Sequence, residues 1–208
     1  MSRLIFILLT TVAFSWSKAS IANSEVTTYF GEKLNIINSF LAKSHDKAVK
    51  QPELLVEFVD KELLTIWSAK NTLRAMLGPK RWAGIAPQER IDLINTYKNT
   101  IRRYLYEVLQ QYRGQKALVN DLRLNSKGNK GWLSVLLESP NFPDLNIDLK
   151  IYKDSSVWTV YDFSFQGISF VKMKRRFFRD TFDQQGADGI IKALKHKNNE
   201  FNQMLAAQ

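Results

Sequence analysis

The chain has 208 residues, of which 45% are hydrophobic and 12% aromatic, and this composition is typical of a globular protein rather than a disordered one. It contains no cysteine and two histidines, which excludes disulfides and cysteine nucleophiles and disfavours zinc sites. The 30 basic and 20 acidic residues give a net charge of +10. One domain that buries a sizeable core is expected at this length.

The N-terminus has the pattern of a secretory signal. Arg3 precedes an apolar run over residues 4–14 that is too short to span a bilayer. We predict a signal peptide over residues 1–22, removed after Ala22; cleavage after Ala19 also fits, and a retained anchor is the alternative. Residues 23–208 then form a single domain with 28 basic and 20 acidic residues, a net charge of +8. Such a protein is attracted to anionic membrane surfaces, and nucleic acid is not an expected partner.

Helical periodicity predicts a series of helices in the first half. The predicted helices cover residues 26–41, a segment that begins at Pro52, a short segment that ends at Gly78, and residues 87–113, the longest. Residues 80–85 read as a tight connection that holds Trp82. The apolar stripe of the longest helix consists of Ile91, Ile94, Tyr97, Ile101, Leu105, Val108 and Tyr112.

From residue 115 apolar and polar residues alternate with a period of two, which predicts strands. They cover about 116–124, 131–138, 146–153 and 156–164, and their short connections favour an antiparallel meander. Two helices follow, at about 168–184 and 187–197, and the polar tail is expected to fray. The predicted fold class is α+β: a curled antiparallel meander of four to five strands packed against and wrapped by about six helices.

The central unit of the chain is the predicted strand at about 156–164, followed by Gly167 and a basic amphipathic helix. Asp162 lies in the apolar strand, where it either acts as a general base or hydrogen-bonds backbone at the strand-to-helix turn; we favour the second role. The basic run 172–179 is either a solvated helix face or a ring of cations near a pocket mouth. His45 and His196 are both predicted to be solvated.

Catalytic motifs are otherwise lacking in the sequence. The segment Gln166-Gly167-Ile168-Ser169 lacks the glycine spacing of a nucleophile elbow, and no phosphate-binding glycine loop occurs. We therefore predict a protein that is not an enzyme and uses neither a cofactor nor a metal.

Several short segments, in order, resemble the MlaC family of periplasmic phospholipid-binding proteins, also called the toluene-tolerance family. The most specific is Trp158-Thr159-Val160-Tyr161-Asp162 followed by Gly167-Ile168-Ser169. The others are Glu62-Leu63-Leu64, Met76-Leu77-Gly78 with Trp82, Pro87-Gln88-Glu89-Arg90, Tyr112-Arg113-Gly114 and Gly186-Ala187-Asp188-Gly189-Ile190. Thr65 and Trp67 depart from the family pattern.

The resemblance implies a monomeric periplasmic carrier that moves phospholipid between an outer-membrane lipoprotein complex and an inner-membrane ABC transporter with an MCE-domain ring, and so maintains outer-membrane lipid asymmetry. It also implies that two acyl chains insert between sheet and helices. We expect the pocket to be lined by Leu77, Trp82, Tyr97, Ile101, Leu105, Val135, Leu137, Leu149, Ile151, Val160, Phe163, Ile168 and Val171. The alternatives are a small-ligand-binding or enzymatic cone-shaped α+β domain that uses Asp162, and a structural module with a closed core.

Overall fold

The computed structural model describes the backbone of residues 4–206 and the side chains of residues 23–206, so the side chains of the predicted signal peptide lie outside the described residues. The helices are α1 (Leu4–Lys50), α2 (Pro52–Phe58), which continues into a π-helical turn (Val59–Leu63), α3 (Ala69–Leu77), α4 (Pro79–Ala83), α5 (Pro87–Gln110) and α6 (Phe170–Ala206). The strands are β1 (Lys116–Leu124), β2 (Lys130–Glu138), β3 (Leu145–Asp154), β4 (Val157–Phe165) and β5 (Ile168–Ser169).

The five strands form one antiparallel sheet in sequential order, which confirms the predicted α+β meander. The four long strands agree with the predicted ones to within one residue at each end. Alternation places Leu133, Val135 and Ile151 on one face, where α1 covers them. A β-bulge leaves Tyr161 without a partner on β3, and the hydroxyl of Thr72 donates to its carbonyl at 2.8 Å.

The chain leaves β4 through a tight hairpin. Phe165 pairs with Ile168, and the two residues between them, Gln166 and Gly167, have φ angles of 48° and 78°. Two consecutive positive φ angles are the signature of a type I′ turn, whose twist matches that of the strands. The predicted change of direction at Gly167 is therefore confirmed, but the helix begins at Phe170 because Ile168 and Ser169 first pair with β4.

Two predictions about the helices were wrong. The segment 80–85 is not a simple connection: Gly78 ends α3 with φ 83°, and Pro79 starts the short helix α4 that carries Trp82. The helix that starts at Pro87 is not the longest, since it has 24 residues against 47 in α1.

The buried face of α5 differs from the predicted stripe. Its buried residues are Leu93, Thr96, Tyr97, Thr100, Ile101 and Tyr106, whereas Ile91 is 51% and Val108 is 68% exposed. The predicted stripe passes through apolar residues alone, but Thr96 and Thr100 are also buried, where Asn198 of α6 hydrogen-bonds to both residues. The Asn198 amide donates to the carbonyl oxygen of Thr96, and its side-chain oxygen accepts from the hydroxyl of Thr100, both at 3.1 Å.

The same contact shows that the predicted fraying after residue 197 was wrong. The helix continues to Ala206 because Asn198 and Phe201 are buried against α5. The ring of Phe201 packs edge to face against Tyr106, with centroids 5.2 Å apart. Gly186 interrupts α6 with φ 66° and ψ −164°, so the two predicted closing helices correspond to the two parts of α6.

The two largest apolar clusters among the described residues are a sheet cluster and a helix cluster. The sheet cluster lies between α1 and the sheet and consists of Val26, Phe30, Leu133, Val135, Ile151, Trp158 and Val160. The helix cluster lies among α3, α4, α5 and α6, around Leu73, Met76, Leu93, Tyr97, Phe178 and Ile190. Trp67 packs against both clusters and joins them. In the part of the chain that the structure describes, no helix is both long enough and apolar enough to cross a membrane.

Candidate functional site

Asp162 lies at the junction between β4 and α6 and is fully buried. One carboxylate oxygen accepts from the Lys150 ammonium at 2.8 Å and from the Ser169 hydroxyl at 2.7 Å. The other accepts from the backbone N–H of Val171 at 2.9 Å. Ser169 in turn accepts from the N–H of Lys172, as an N-cap does. These bonds give Asp162 the backbone-binding role that the sequence analysis favoured.

The thirteen predicted lining residues do not meet in one place. Six of them belong to the helix cluster or pack against it: Leu77, Trp82, Tyr97, Ile101, Phe163 and Val171. Five belong to the sheet cluster or pack against it: Val135, Leu137, Leu149, Ile151 and Val160. Leu105 packs against the helix cluster and against α2, while Ile168 is 64% exposed in the β4–β5 hairpin.

An apolar cleft opens at the surface between the helices and one end of the sheet. Its volume is about 350 Å³. The cleft is lined by α1, the C-terminal end of α5, β1, β2 and the loop before β3. Its apolar lining consists of Ile37, Leu41, Val108, Leu109, Ala117, Leu137, Phe142 and Leu145. Of the thirteen predicted residues, Leu137 lines this cleft.

The floor of the cleft continues into the core. Ile37 and Leu109 line the cleft and also pack against the buried cluster of Phe58, Val59 and Leu63. Leu105, one turn before Leu109 on α5, packs against that cluster and against the helix cluster. Apolar side-chain contacts are therefore continuous from the cleft to the cluster of Phe58, Val59 and Leu63 and to the helix cluster.

Most of the cleft residues are not among the thirteen predicted lining residues. Ile37, Leu41 and Val108 lie on predicted helices, but helical periodicity does not show which apolar residues face an opening. Phe142 carried a clearer signal, because it is a large aromatic in the otherwise polar turn 139–144, and it is 65% exposed at the cleft. At the cleft it belongs to a contiguous apolar surface with Leu137 and Leu145, and such a patch is typical of a binding surface.

A second cleft of about 390 Å³ lies between α5 and α6. Its apolar lining includes Tyr97, Phe170, Met173 and Phe177, and Arg103, Lys174 and Lys197 add positive charge. The hydroxyl of Tyr97 is buried there without a hydrogen-bond partner among the described residues. Burial, together with the nearby Tyr104 and Asp162, raises the pKa of Tyr97 well above its usual value of 10, so the hydroxyl stays neutral.

The two histidines have different environments. His196 is exposed, with 72% of its side chain accessible, as predicted. His45 is not solvated, because α1 extends to Lys50 and places its ring against Tyr112, within hydrogen-bond distance (3.1 Å) of the Leu109 carbonyl oxygen. That oxygen belongs to the last turn of α5, so His45 helps to satisfy a helix end. No group of three residues suited to binding a metal ion occurs within the described region.

The apolar cleft therefore lies between the helices and one end of the sheet. The buried carboxylate of Asp162, at the β4–α6 junction, is engaged by an ammonium, a hydroxyl and a backbone N–H. This arrangement defines an α+β protein with an apolar surface cleft between its sheet and its helices. The MlaC protein family matches residues 33–196, about four-fifths of the sequence, and the chain belongs to that family.

A solved structure supports the fold assignment. The chain is similar to a phospholipid-binding protein from Ralstonia solanacearum, whose structure was determined in complex with a phospholipid. The TM-score is 0.68 at 18% sequence identity, and the alignment covers 89% of this chain and 98% of that one. No curated protein sequence matches this chain.

Proposed function

We propose that the protein binds a phospholipid and places its acyl chains between the sheet and the helices. The apolar cleft beside Leu137 carries this proposal, since it opens at the surface and its floor is continuous with the core. The fold is shared with a protein that binds phospholipid, and the chain belongs to the MlaC family. Twelve of the thirteen residues named from the sequence remain the proposed lining of the fully loaded pocket, with Leu137 and Leu105 nearest to the entrance. Ile168 is left out because it is 64% exposed in the β4–β5 hairpin.

The size of the cleft indicates how a lipid would be accommodated. A volume of about 350 Å³ lies near the lower end of the range for small-molecule sites, roughly 300–1,000 Å³. It therefore receives only part of two acyl chains. We place the rest of the acyl chains deeper, beyond the floor of the cleft. There Leu105 and Trp67 contact the packed clusters, and both side chains must shift to admit the acyl chains.

The free-energy cost of exposing acyl chains to water favours a carrier. Two acyl chains have about thirty methylenes, and exposing them to water costs on the order of 25 kcal/mol at ~0.8 kcal/mol each. For a carrier, the relevant quantity is the free energy of moving a lipid from a bilayer to the pocket. Both environments are apolar, so the free energies of burying the hydrocarbon chains largely cancel. A carrier that holds lipid about as well as a membrane does can be loaded or unloaded by contacts with its partners, so an apolar site without catalytic groups suffices.

The wider role follows from family membership and remains part of the proposal. After removal of residues 1–22, the protein acts in the periplasm as a shuttle between an outer-membrane lipoprotein complex and an inner-membrane ABC transporter with an MCE-domain ring. A binding role rather than an enzymatic one is consistent with Asp162, whose carboxylate is occupied by Lys150, Ser169 and Val171.

Two neighbouring residues of β2 provide a matched test. Leu137 lines the cleft, whereas Leu136 points to the opposite face of the sheet, and both are half-buried. We expect Leu137→Arg to reduce uptake of a fluorescent phospholipid from vesicles at least about tenfold, because a buried charge opposes acyl chains. Leu136→Arg is expected to load within about twofold of the unmodified protein. Equal loading by two folded variants, checked by circular dichroism, would exclude this cleft as the lipid site.

A further inference from the structure

Four large apolar side chains lie exposed on one short segment, residues 165–177. Phe165 is 38% and Ile168 is 64% exposed at the β4–β5 hairpin, and Met173 is 58% and Phe177 is 47% exposed on α6. Met173 and Phe177 are one helical turn apart, about 40° around the helix axis. They therefore form a continuous apolar strip on α6.

Basic side chains flank this strip on both sides. In an α-helix, Lys174 lies on one side of Met173 and Phe177 and Arg176 lies on the other. The segment 165–177 contains four basic residues and no acidic residue. Arg176 makes an ion pair with Asp180 at 3.4 Å, but its side chain is 92% exposed and this contact holds it weakly. The ammonium of Lys174 lies over the rings of Tyr104 and Phe170, 5.7 and 5.9 Å from their centroids.

The exposed strip is not needed to hold α6 in place. Other side chains anchor the helix, because Val171 and Phe178 on its opposite side are buried in the helix cluster, and Phe170 at its start stacks on Phe163 at 5.1 Å. A patch of this kind, apolar in the middle and charged at its edges, is typical of an interaction surface.

We propose that this surface, defined by Phe165, Ile168, Lys174, Met173, Arg176 and Phe177, docks on the face of an anionic phospholipid bilayer. The apolar side chains insert at the boundary between headgroups and acyl chains, and the cations contact the phosphates. This is the geometry of an interfacial amphipathic helix, with the difference that α6 is already held by the fold. A bilayer is favoured over an acidic protein because cations flank exposed apolar groups that need an apolar phase to enter.

The surface is separate from the cleft beside Leu137. None of its six residues lines that cleft. Substitutions on the docking surface should therefore change membrane binding, whereas substitutions at Leu137 should change lipid loading. Each property can be lost without the other.

The test is co-sedimentation of the purified protein with vesicles. We expect binding to vesicles of phosphatidylcholine containing about one-third phosphatidylglycerol, weaker binding to phosphatidylcholine alone, and weakening at about 0.5 M salt, where charges are screened. Lys174→Gln with Arg176→Gln should weaken binding about fivefold per cation, roughly 25-fold together. Met173→Ser with Phe177→Ser should weaken it at least about tenfold.

Two controls isolate the surface from net charge and general apolarity. Lys98→Gln with Lys195→Gln removes the same charge from exposed positions elsewhere, and Ile91→Ser removes an exposed apolar side chain of α5. Both should bind within about threefold of the unmodified protein. Absence of binding to the anionic vesicles at low salt would overturn the proposal, as would equal losses in the Lys174/Arg176 and Lys98/Lys195 variants. Loading with detergent-solubilised phospholipid should persist in every one of these variants, which separates this result from the lipid-binding proposal.

Discussion

The carboxylate of Asp162 accepts a hydrogen bond from the backbone N–H of Val171, 2.9 Å away, and so ties β4 to the first turn of α6. The second oxygen of the same carboxylate binds Lys150 and Ser169. A negative charge at a helix N-terminus is favourable, and here it is also buried and paired. Asp162 therefore adds a buried polar tie to the apolar packing that holds α6 beside the sheet.

We expect Asp162→Asn to destabilise the protein by about 2–3 kcal/mol. An amide cannot accept from all three donors, and it leaves Lys150 without its charged partner in a site where the carboxylate is 1% exposed. The unfolding free energy measured in urea gives this value. Asp148→Asn is the control, since that half-buried carboxylate has no side-chain partner among the described residues, and it should change stability by less than about 0.5 kcal/mol. A neutral effect of Asp162→Asn would contradict the structural role.

The buried hydroxyl of Tyr97 predicts a stabilising substitution. It has no hydrogen-bond partner among the described residues, so Tyr97→Phe should stabilise the protein by about 1 kcal/mol at neutral pH. The hydroxyl of Tyr106 accepts from the Gln110 amide at 2.8 Å, and Tyr106→Phe should instead cost roughly 0.5–1.5 kcal/mol. Thermal melts of the two variants compare them directly. A loss of stability in Tyr97→Phe would show that its hydroxyl has a partner.

The same tyrosine predicts a dependence on alkaline pH. Below about pH 10 both the folded and the unfolded state keep the proton of Tyr97, so it contributes no pH dependence. Above pH 10 the unfolded chain loses that proton while the folded state retains it, because burial raises the pKa of Tyr97. The unfolded state then binds fewer protons, and stability falls as pH rises. Burial also raises the pKa of Tyr106 and of Tyr161, so the decline should be reduced, not abolished, in Tyr97→Phe. Urea unfolding at pH 8 and at about pH 11 measures the difference.

Gly186 allows α6 to change direction. Its φ of 66° with ψ of −164° is accessible essentially to glycine alone, and no atom lies within 4 Å of the position that a Cβ would take. Gly186→Ala should therefore cost about 1–3 kcal/mol through backbone strain rather than through a clash. Gly31→Ala, in the interior of α1 with equally open surroundings, should stabilise by roughly 0.5–1 kcal/mol. Equal effects at the two positions would contradict this explanation.

The strands were predictable because their signal is local. The turns at Asn125–Lys130 and at residues 154–157 lie in polar segments, and the alternation of apolar and polar residues between turns sets each strand to within a residue. The turn chemistry at Gly167 was equally direct. The buried face of a helix was harder to predict than the bounds of a strand. In α5 this face includes threonines that contact Asn198, about a hundred residues away.

The location of the apolar cleft could not be predicted either, because it also depends on contacts between residues that are distant in sequence. Periodicity identifies apolar residues such as Ile37, Leu105 and Leu137, but an apolar residue that lines a cleft has the same sequence signature as one that packs in a closed core. The position of the cleft depends on where α1 and α5 meet the end of the sheet. This is set by contacts such as the Asn38 amide donating to the Ala117 carbonyl oxygen at 2.8 Å, which join distant parts of the chain.

The lipid content of the protein, purified without detergent and analysed by native mass spectrometry, tests the central claim most directly. The account predicts a species heavier than the polypeptide by the mass of bound phospholipid, which is lost in Leu137→Arg and retained in Leu136→Arg. Protein that carries no phospholipid, and that takes up none when incubated with vesicles, would contradict it.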